Sequence, residues 1–204
     1  KLRQRRYAML YLLIPIAAYL IGSISSAILV SRLMGLPDPR TEGSHNPGAT
    51  NVLRLGSKTG AALALAGDVA KGVIPVIAAR WLLDDPLVLA LAALGAFLGH
   101  LFPVFFRFEG GKGVATALGV LAALDWQLGG LLAGTWLVIA LVSRYSSLAA
   151  LTAATATPFY AWWLSGEWLY VVLGVALAFL LFLRHRQNIS RLIAGTESRI
   201  GKKS

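Results

Sequence analysis

The sequence has no cysteine among its 204 residues, which excludes a disulfide framework and thiol chemistry. Its three histidines are scattered, and none sits in a His-Glu-x-x-His arrangement, which disfavours a zinc hydrolase. Acid is scarce: nine Asp and Glu face nineteen Lys and Arg, a formal net charge of +10. Such a balance can signal nucleic acid, but the basic residues fall in a few short loops and at the ends, with no basic face of a soluble domain. No nucleic-acid partner is expected. Charge of either sign is limited to 14% of the chain.

What is abundant is apolar. Hydrophobic residues reach 57% and the mean hydropathy is +0.68, well above a soluble globular chain. Apolar segments fall at 9–33, 59–82, 86–106, 114–124, 128–143, 148–164 and 168–184. At about 20 residues per span, seven spans use roughly 140 residues and leave about 60, too few for a separate soluble domain. The expectation is an all-α, polytopic integral membrane protein with about seven transmembrane helices and cytoplasm-facing polar loops. Segment 114–124 is the short span, about 16 Å as a helix against a core of roughly 30 Å, and is read as short or tilted in a locally thinned membrane. Residues 1–8 precede Met9 and are read as an N-terminal extension, 9–190 as one membrane domain, and 191–204 as a basic cytoplasmic tail.

Lys and Arg concentrate at 32–58, 107–112, 144 and 184–203. The alternate turns carry Asp84, Asp85, Asp125 and Glu167, with Arg80 the exception. Over seven spans, the positive-inside bias places every basic connection and the C-terminus in the cytoplasm, and the N-terminus outside.

Four polar islands interrupt the apolar pattern, and lipid tolerates such residues only where they find partners. The first, Gly-Ser-His-Asn-Pro-Gly-Ala-Thr-Asn-Val-Leu-Arg at 43–54, offers hydroxyl, amide and guanidinium groups. Asn46 and Pro47 suit a helix N-cap and first helical position. Ser44, Asn46, Thr50, Asn51 and Arg54 are together read as an anion site. The second island holds Gly67, Asp68, Lys71 and Gly72. Burying that aspartate and lysine near a bilayer midplane costs about 5–7 kcal/mol, against about 0.2–0.5 kcal/mol returned by an exposed i,i+3 pair. The pair must therefore face a polar interior. A structural ion pair is preferred for Asp68, with Lys71 open to an anion.

The third island runs from His100 to Thr116 and contains Gly110, Gly111, Lys112 and Gly113. A glycine-rich turn with a lysine before a helix suits phosphate, although the spacing is not that of a Walker loop. For His100 a buried, hydrogen-bonded role is preferred. The fourth, 184–191, carries His185 and Asn188, which share a face if the helix continues. Alone it reads as a basic segment at lipid headgroups.

In order and at these spacings, the four islands resemble the motifs of the bacterial acyl-phosphate-dependent glycerol-3-phosphate acyltransferases, the PlsY type. The resemblance covers the chain from Met9 onward. One departure is His45, where the family more usually has glycine. The resemblance implies a seven-helix enzyme of the bacterial inner membrane with its site facing the cytoplasm. It would move a fatty acyl group from acyl phosphate to the 1-hydroxyl of sn-glycerol 3-phosphate, giving 1-acylglycerol 3-phosphate and phosphate, the first acylation in phospholipid synthesis. The partners would be those two substrates and membrane lipids, with no metal, no cofactor, and neither acyl-CoA nor acyl-carrier protein as direct donor.

By the same resemblance Ser44, Arg54, Lys112, His185 and Asn188 line the site as catalytic residues. Asn46, Thr50, Asn51, Gly67, Asp68, Lys71, Gly72, Gly110, Gly111, Gly113 and Thr116 are carried over as substrate-binding. The chemistry fits, because acyl phosphate is already activated and the protein has mainly to hold two anions and aim a hydroxyl. The proton goes either to His185 or to a substrate phosphate oxygen, and the second route is preferred. Soluble-type acyl-CoA acyltransferases carry His-x4-Asp, whereas the residues at that spacing here are Thr50, Phe105 and Ser190. The rival from another class is a membrane transporter for an organic phosphate.

Overall fold

A computed structural model describes residues 2–201, with side chains from residue 8 onward. The side chains of the expected extension before Ala8, and tail residues 202–204, lie outside the described residues. All regular structure among the described residues is helical, and it falls into two compact units, 1–124 and 125–204.

The first unit contains α1 (Leu2–Gly22), α2 (Ser26–Leu33), the short α3 (Ala49–Arg54), α4 (Lys58–Leu82), α5 (Pro86–Leu101) and α6 (Val114–Leu124). A single 3-10 turn, Val104–Phe106, follows α5. The second contains α7 (Trp126–Ser143), α8 (Ser146–Ser165), α9 (Trp168–Arg184) and α10 (Arg186–Ile193). Among the described residues, four stretches are long and apolar enough to cross a membrane: Ala8–Leu33, Lys58–Leu82, Pro86–Phe106 and Trp126–Ser143. The α9–α10 pair, bent by 64°, makes a fifth if it is counted as one broken span. The chain is thus an all-α polytopic membrane protein.

Three of the four acidic turn residues start helices. Asp85 accepts from Leu87 N and Val88 N ahead of α5, with Pro86 at the first helical position. Asp125 accepts from Gln127 N and Leu128 N ahead of α7. Glu167 accepts from Leu169 N ahead of α9. Arg80, the basic exception, sends its Nη2 to Leu124 O at 2.8 Å and so satisfies a carbonyl at the end of α6.

Small residues let the helices of the first unit approach closely, as apolar packing in lipid requires. A Cβ on Gly22 would overlap the backbone of Ala96, one on Gly95 that of Pro15, and one on Gly99 that of Tyr19. These contacts seat α1 against α5. Gly72 faces the backbone of Thr116 and Val120 across the α4–α6 seam, and Gly119 faces Val69.

Contacts at Asp68 with Thr116 and at Arg80 with Leu124 show that α4 and α6 run side by side in the same direction. α6 does not begin at the end of its neighbour: it starts level with Asp68, roughly 15 Å along α4, after the glycine-bearing segment. The apolar segment expected at 9–33 is also not one continuous helix. It opens at Ser23–Ser25, where Ser23 Oγ donates back to Tyr19 O and the carbonyl of Ile24 is released to a side-chain partner.

Candidate active site

In the first unit the second and third islands meet inside the helix packing. Lys71 Nζ lies 2.9 Å from Asp68 Oδ1 and donates to Ile24 O at 2.9 Å. Both side chains are buried. His100, also buried, places Nδ1 3.6 Å from the same carboxylate oxygen. Thr116 Oγ1 donates to Asp68 O at 3.0 Å. The structural ion pair preferred for Asp68 is therefore what the helices build. Lys71, left open to an anion by the sequence, is already ion-paired with Asp68 and donates to Ile24 O.

The glycines of these islands are packing devices first. A Cβ on Gly67 would overlap the Ser26 side chain, and one on Gly111 would overlap His100 Nε2. Gly110 nests against the carbonyls of His100 and Leu101, and Gly111 N donates to His100 O at 3.2 Å. Gly113 turns with φ +90° against Phe97 and Leu101, a conformation that favours glycine. The buried His100 is thus the post around which the Gly110–Lys112 segment is wrapped, and Lys112 itself is half-buried.

The first island reaches the same place. Pro47 O lies in the space a Gly111 Cβ would enter, and Arg40 Nη1 bonds Glu109 Oε2 at 3.1 Å while its guanidinium also clamps Asp38. The Arg40 hydrogen bonds hold the Asp38 carboxyl below its ordinary value. The expected short helix forms, but it begins at Ala49 with Gly48 as N-cap, two residues after Asn46. Asn46 instead offers its carbonyl to Gly48 N. Ser44 and Asn46 are half-buried, whereas Thr50 and Arg54 are exposed. His45 sits at φ 54°, the left-handed region that favours glycine. That is why a glycine fits this motif position, and histidine is among the residues that enter the region more readily than most.

In the second unit, the helix does not run on through the fourth island. It breaks at His185, and α10 leaves at 64°. His185 and Asn188 are both buried. His185 Nδ1 contacts Leu181 O at 2.9 Å. A carbonyl only accepts, so Nδ1 donates this bond. Asn188 Nδ2 donates to Glu197 Oε1 at 2.6 Å, and Ser147 Oγ donates to the same oxygen at 2.7 Å. Arg191 Nε closes on Oε2 at 2.7 Å. Burial pushes the Glu197 carboxyl up, but the bonds from Ser147, Asn188 and Arg191 outweigh it and leave it below its ordinary value.

Glu197 was not among the residues singled out from sequence. Its signal was available: it is the one acid after Glu167, in a segment otherwise basic. The tail it belongs to folds back, with Ile200 N donating to Arg144 O at 2.7 Å and Arg199 Nε to Tyr145 Oη at 3.1 Å. Among the described residues no group of three His, Cys, Asp or Glu comes together as a metal site.

Residues 12–195 match the glycerol-3-phosphate acyltransferase family. The chain belongs to that family. It is 57% identical over 189 residues to the glycerol-3-phosphate acyltransferase of Thioalkalivibrio sulfidiphilus, covering 93% of each chain. It is 56% identical over 201 residues to that of Thiobacillus denitrificans, covering 96% of this chain and 100% of the relative. Its fold matches the crystal structure of PlsY, an integral membrane glycerol 3-phosphate acyltransferase, in the glycerol 3-phosphate form. There the TM-score is 0.88 at 38% identity, over 94% of this chain and 96% of the other. The lysophosphatidic acid form of the same enzyme matches with a TM-score of 0.86 at 37% identity. Within the family, the matched span includes all four islands and stops two residues short of Glu197.

Proposed function

We propose that this chain transfers a fatty acyl group from acyl phosphate to the 1-hydroxyl of sn-glycerol 3-phosphate. The products are 1-acylglycerol 3-phosphate (lysophosphatidic acid) and inorganic phosphate, in the first acylation of bacterial phospholipid synthesis. The observation that carries the reading is the match over nearly the whole chain to an enzyme crystallised in glycerol 3-phosphate and lysophosphatidic acid forms. The bound molecules of those forms are an acceptor and an acylated product of one reaction.

The hydroxyl oxygen attacks the acyl carbon, the bond from that carbon to the bridging phosphate oxygen breaks, and phosphate leaves with the electron pair. Two anions must be held together for this, and Arg54 and Lys112 supply the opposing charge while Ser44 donates a hydrogen bond. Acyl phosphate rather than acyl-CoA is proposed because the four motifs resemble those of the acyl-phosphate-dependent enzymes. A substrate phosphate oxygen takes the hydroxyl proton, with His185 and Asn188 positioning the acceptor. The Leu181 contact, which holds the ring by Nδ1, favours a second reading, in which His185 takes the proton itself. Under the first, His185→Gln retains a measurable rate and its pH profile; under the second, it loses the rate and the acidic limb together.

The orientation follows the same proposal. Seven spans require α6 and α8 to cross as well, in the bacterial inner membrane, with the N-terminus outside and the site facing the cytoplasm. Trp81, Trp126, Trp162, Trp163 and Trp168, each well exposed, cluster at the α4–α5, α6–α7 and α8–α9 turns. Aromatic belts mark membrane interfaces, and exposed tryptophans at these turns support reading the turns as interfacial.

The test is purified protein given palmitoyl phosphate or palmitoyl-CoA with glycerol 3-phosphate. Acceptor-dependent phosphate release and acylation from the first donor alone are expected. Acylation from the CoA ester alone contradicts the proposed donor.

A further inference from the structure

The chain between α2 and α4 must present Ser44 and Arg54 while making few regular backbone bonds of its own. One side chain organises it. Asn51, in the middle of α3, is buried to 1% exposure. Its Oδ1 accepts from Ser44 N at 2.8 Å, and its Nδ2 donates to Pro39 O at 2.8 Å and to Glu42 O at 2.9 Å. An amide has only two N–H donors, and both are used. Nothing is left on Asn51 to donate to a phosphate. The reversed amide would set its oxygen against two carbonyls, so the orientation is dictated by its surroundings.

The neighbouring backbone is built around the same contact. Gly43 has φ +66°, and a Cβ there would overlap Asn51 Oδ1. The bare glycine lets the chain lie against the amide and hand it the N–H of the next residue, Ser44. Pro39 and Glu42 are tied to the same side chain, so the segment from 39 to 44 is fixed at three points by one residue.

We propose that Asn51 is a positioning residue, which holds Ser44 at the substrate and does not touch the substrate itself. This rests on reading Ser44 as a phosphate-holding group. Asn51 acts through Ser44, so its loss has little left to remove once the Ser44 hydroxyl is gone.

The experiment is a double-mutant cycle on purified full-length protein. Phosphate release from palmitoyl phosphate is followed at varied glycerol 3-phosphate for the wild type, Ser44→Ala, Asn51→Ala and the pair. Amide hydrogen exchange over 39–50 is measured alongside. Asn51→Ala is expected to lower kcat/KM by about 10²-fold, the scale of a misplaced reacting group, chiefly by raising KM for glycerol 3-phosphate. In the Ser44→Ala background the same change is expected to cost no more than about threefold, the signature of coupled residues. The Ser44 amide is expected to lose its protection. Gly43→Ala attacks the contact from the other side and should reproduce the pattern, which covers the case that Asn51→Ala does not fold.

Equal fold-losses in both backgrounds overturn the inference, because a general loss of fold gives that result. So does an Asn51→Ala enzyme with wild-type rates. Failure of the underlying reading looks different: either the wild type shows no acceptor-dependent release, or Ser44→Ala alone keeps the full rate. Either of those overturns the inference together with the reading.

Discussion

Two buried carboxylates are neutralised in different ways, one in each unit. Asp68 lies within a membrane-spanning helix and is matched by Lys71 one turn along the same helix, with His100 beside it. Glu197 lies in an irregular tail and is matched by Ser147, Asn188 and Arg191, which come from α8 and α10. In the first arrangement two charges cancel locally, and the break after α1 adds the Ile24 carbonyl. In the second, one charge gathers three donors and fastens the tail to the rest of its unit. The first is a core element whose loss leaves a naked charge in an apolar interior. The second is a clasp whose loss releases a segment that can still reach water.

The largest expected effect comes from unbalancing the first arrangement. Lys71→Ala leaves Asp68 buried without its counter-charge and should cost about 3–5 kcal/mol, read as a large fall in thermal midpoint in detergent. Replacing both, as Asp68→Leu with Lys71→Met, should recover most of that loss, because a buried pair exchanged for apolar residues is often neutral. A double variant no better than the single would mean that the carboxylate has a further role.

The clasp should respond less. Glu197→Gln keeps the shape but removes the charge-assisted bonds, for a cost of about 1.5–3 kcal/mol. The change should also raise hydrogen exchange over the 194–201 segment. No change in that exchange would contradict the clasp.

The pH dependence separates the Glu197 contribution from the rest. Its native value lies below the ordinary 4.5, so the unfolded chain binds the extra proton first. The stabilisation is full above about pH 4.5 and fades as the pH falls through the lowered native value. Asp38, held low by Arg40, contributes in the same direction. Thermal midpoints should therefore drop below that point in the wild type and drop less in Glu197→Gln.

The smallest effect is expected at the surface. Glu109→Ala breaks the bridge to Arg40 and leaves the Arg40–Asp38 clamp in place; the Glu109 side chain is 59% exposed, and the change should cost less than about 1 kcal/mol. A larger loss would show that the bridge fixes the first island against the third.

What the sequence made legible follows the same contrast. The Asp68–Lys71 pair was visible because its members are three residues apart and each is expensive alone. The helices were visible because lipid demands long apolar runs, and the acids between them because caps sit next to what they cap. The kinked start at Ser23–Ser25 was not, because serines in an apolar run do not disclose which carbonyl is released. Glu197 was hidden by distance, since its partners lie between six and fifty residues away. Asn51 carried the right chemistry for a ligand contact, and only its surroundings show that its donors are already used.

The central claim is that this chain acylates glycerol 3-phosphate and does not carry it. Protein reconstituted in sealed vesicles with palmitoyl phosphate would be given labelled glycerol 3-phosphate outside. The account predicts that label enters the lipid fraction as lysophosphatidic acid, one per phosphate released. Unmodified label accumulating in the lumen, with no phosphate released, would contradict it.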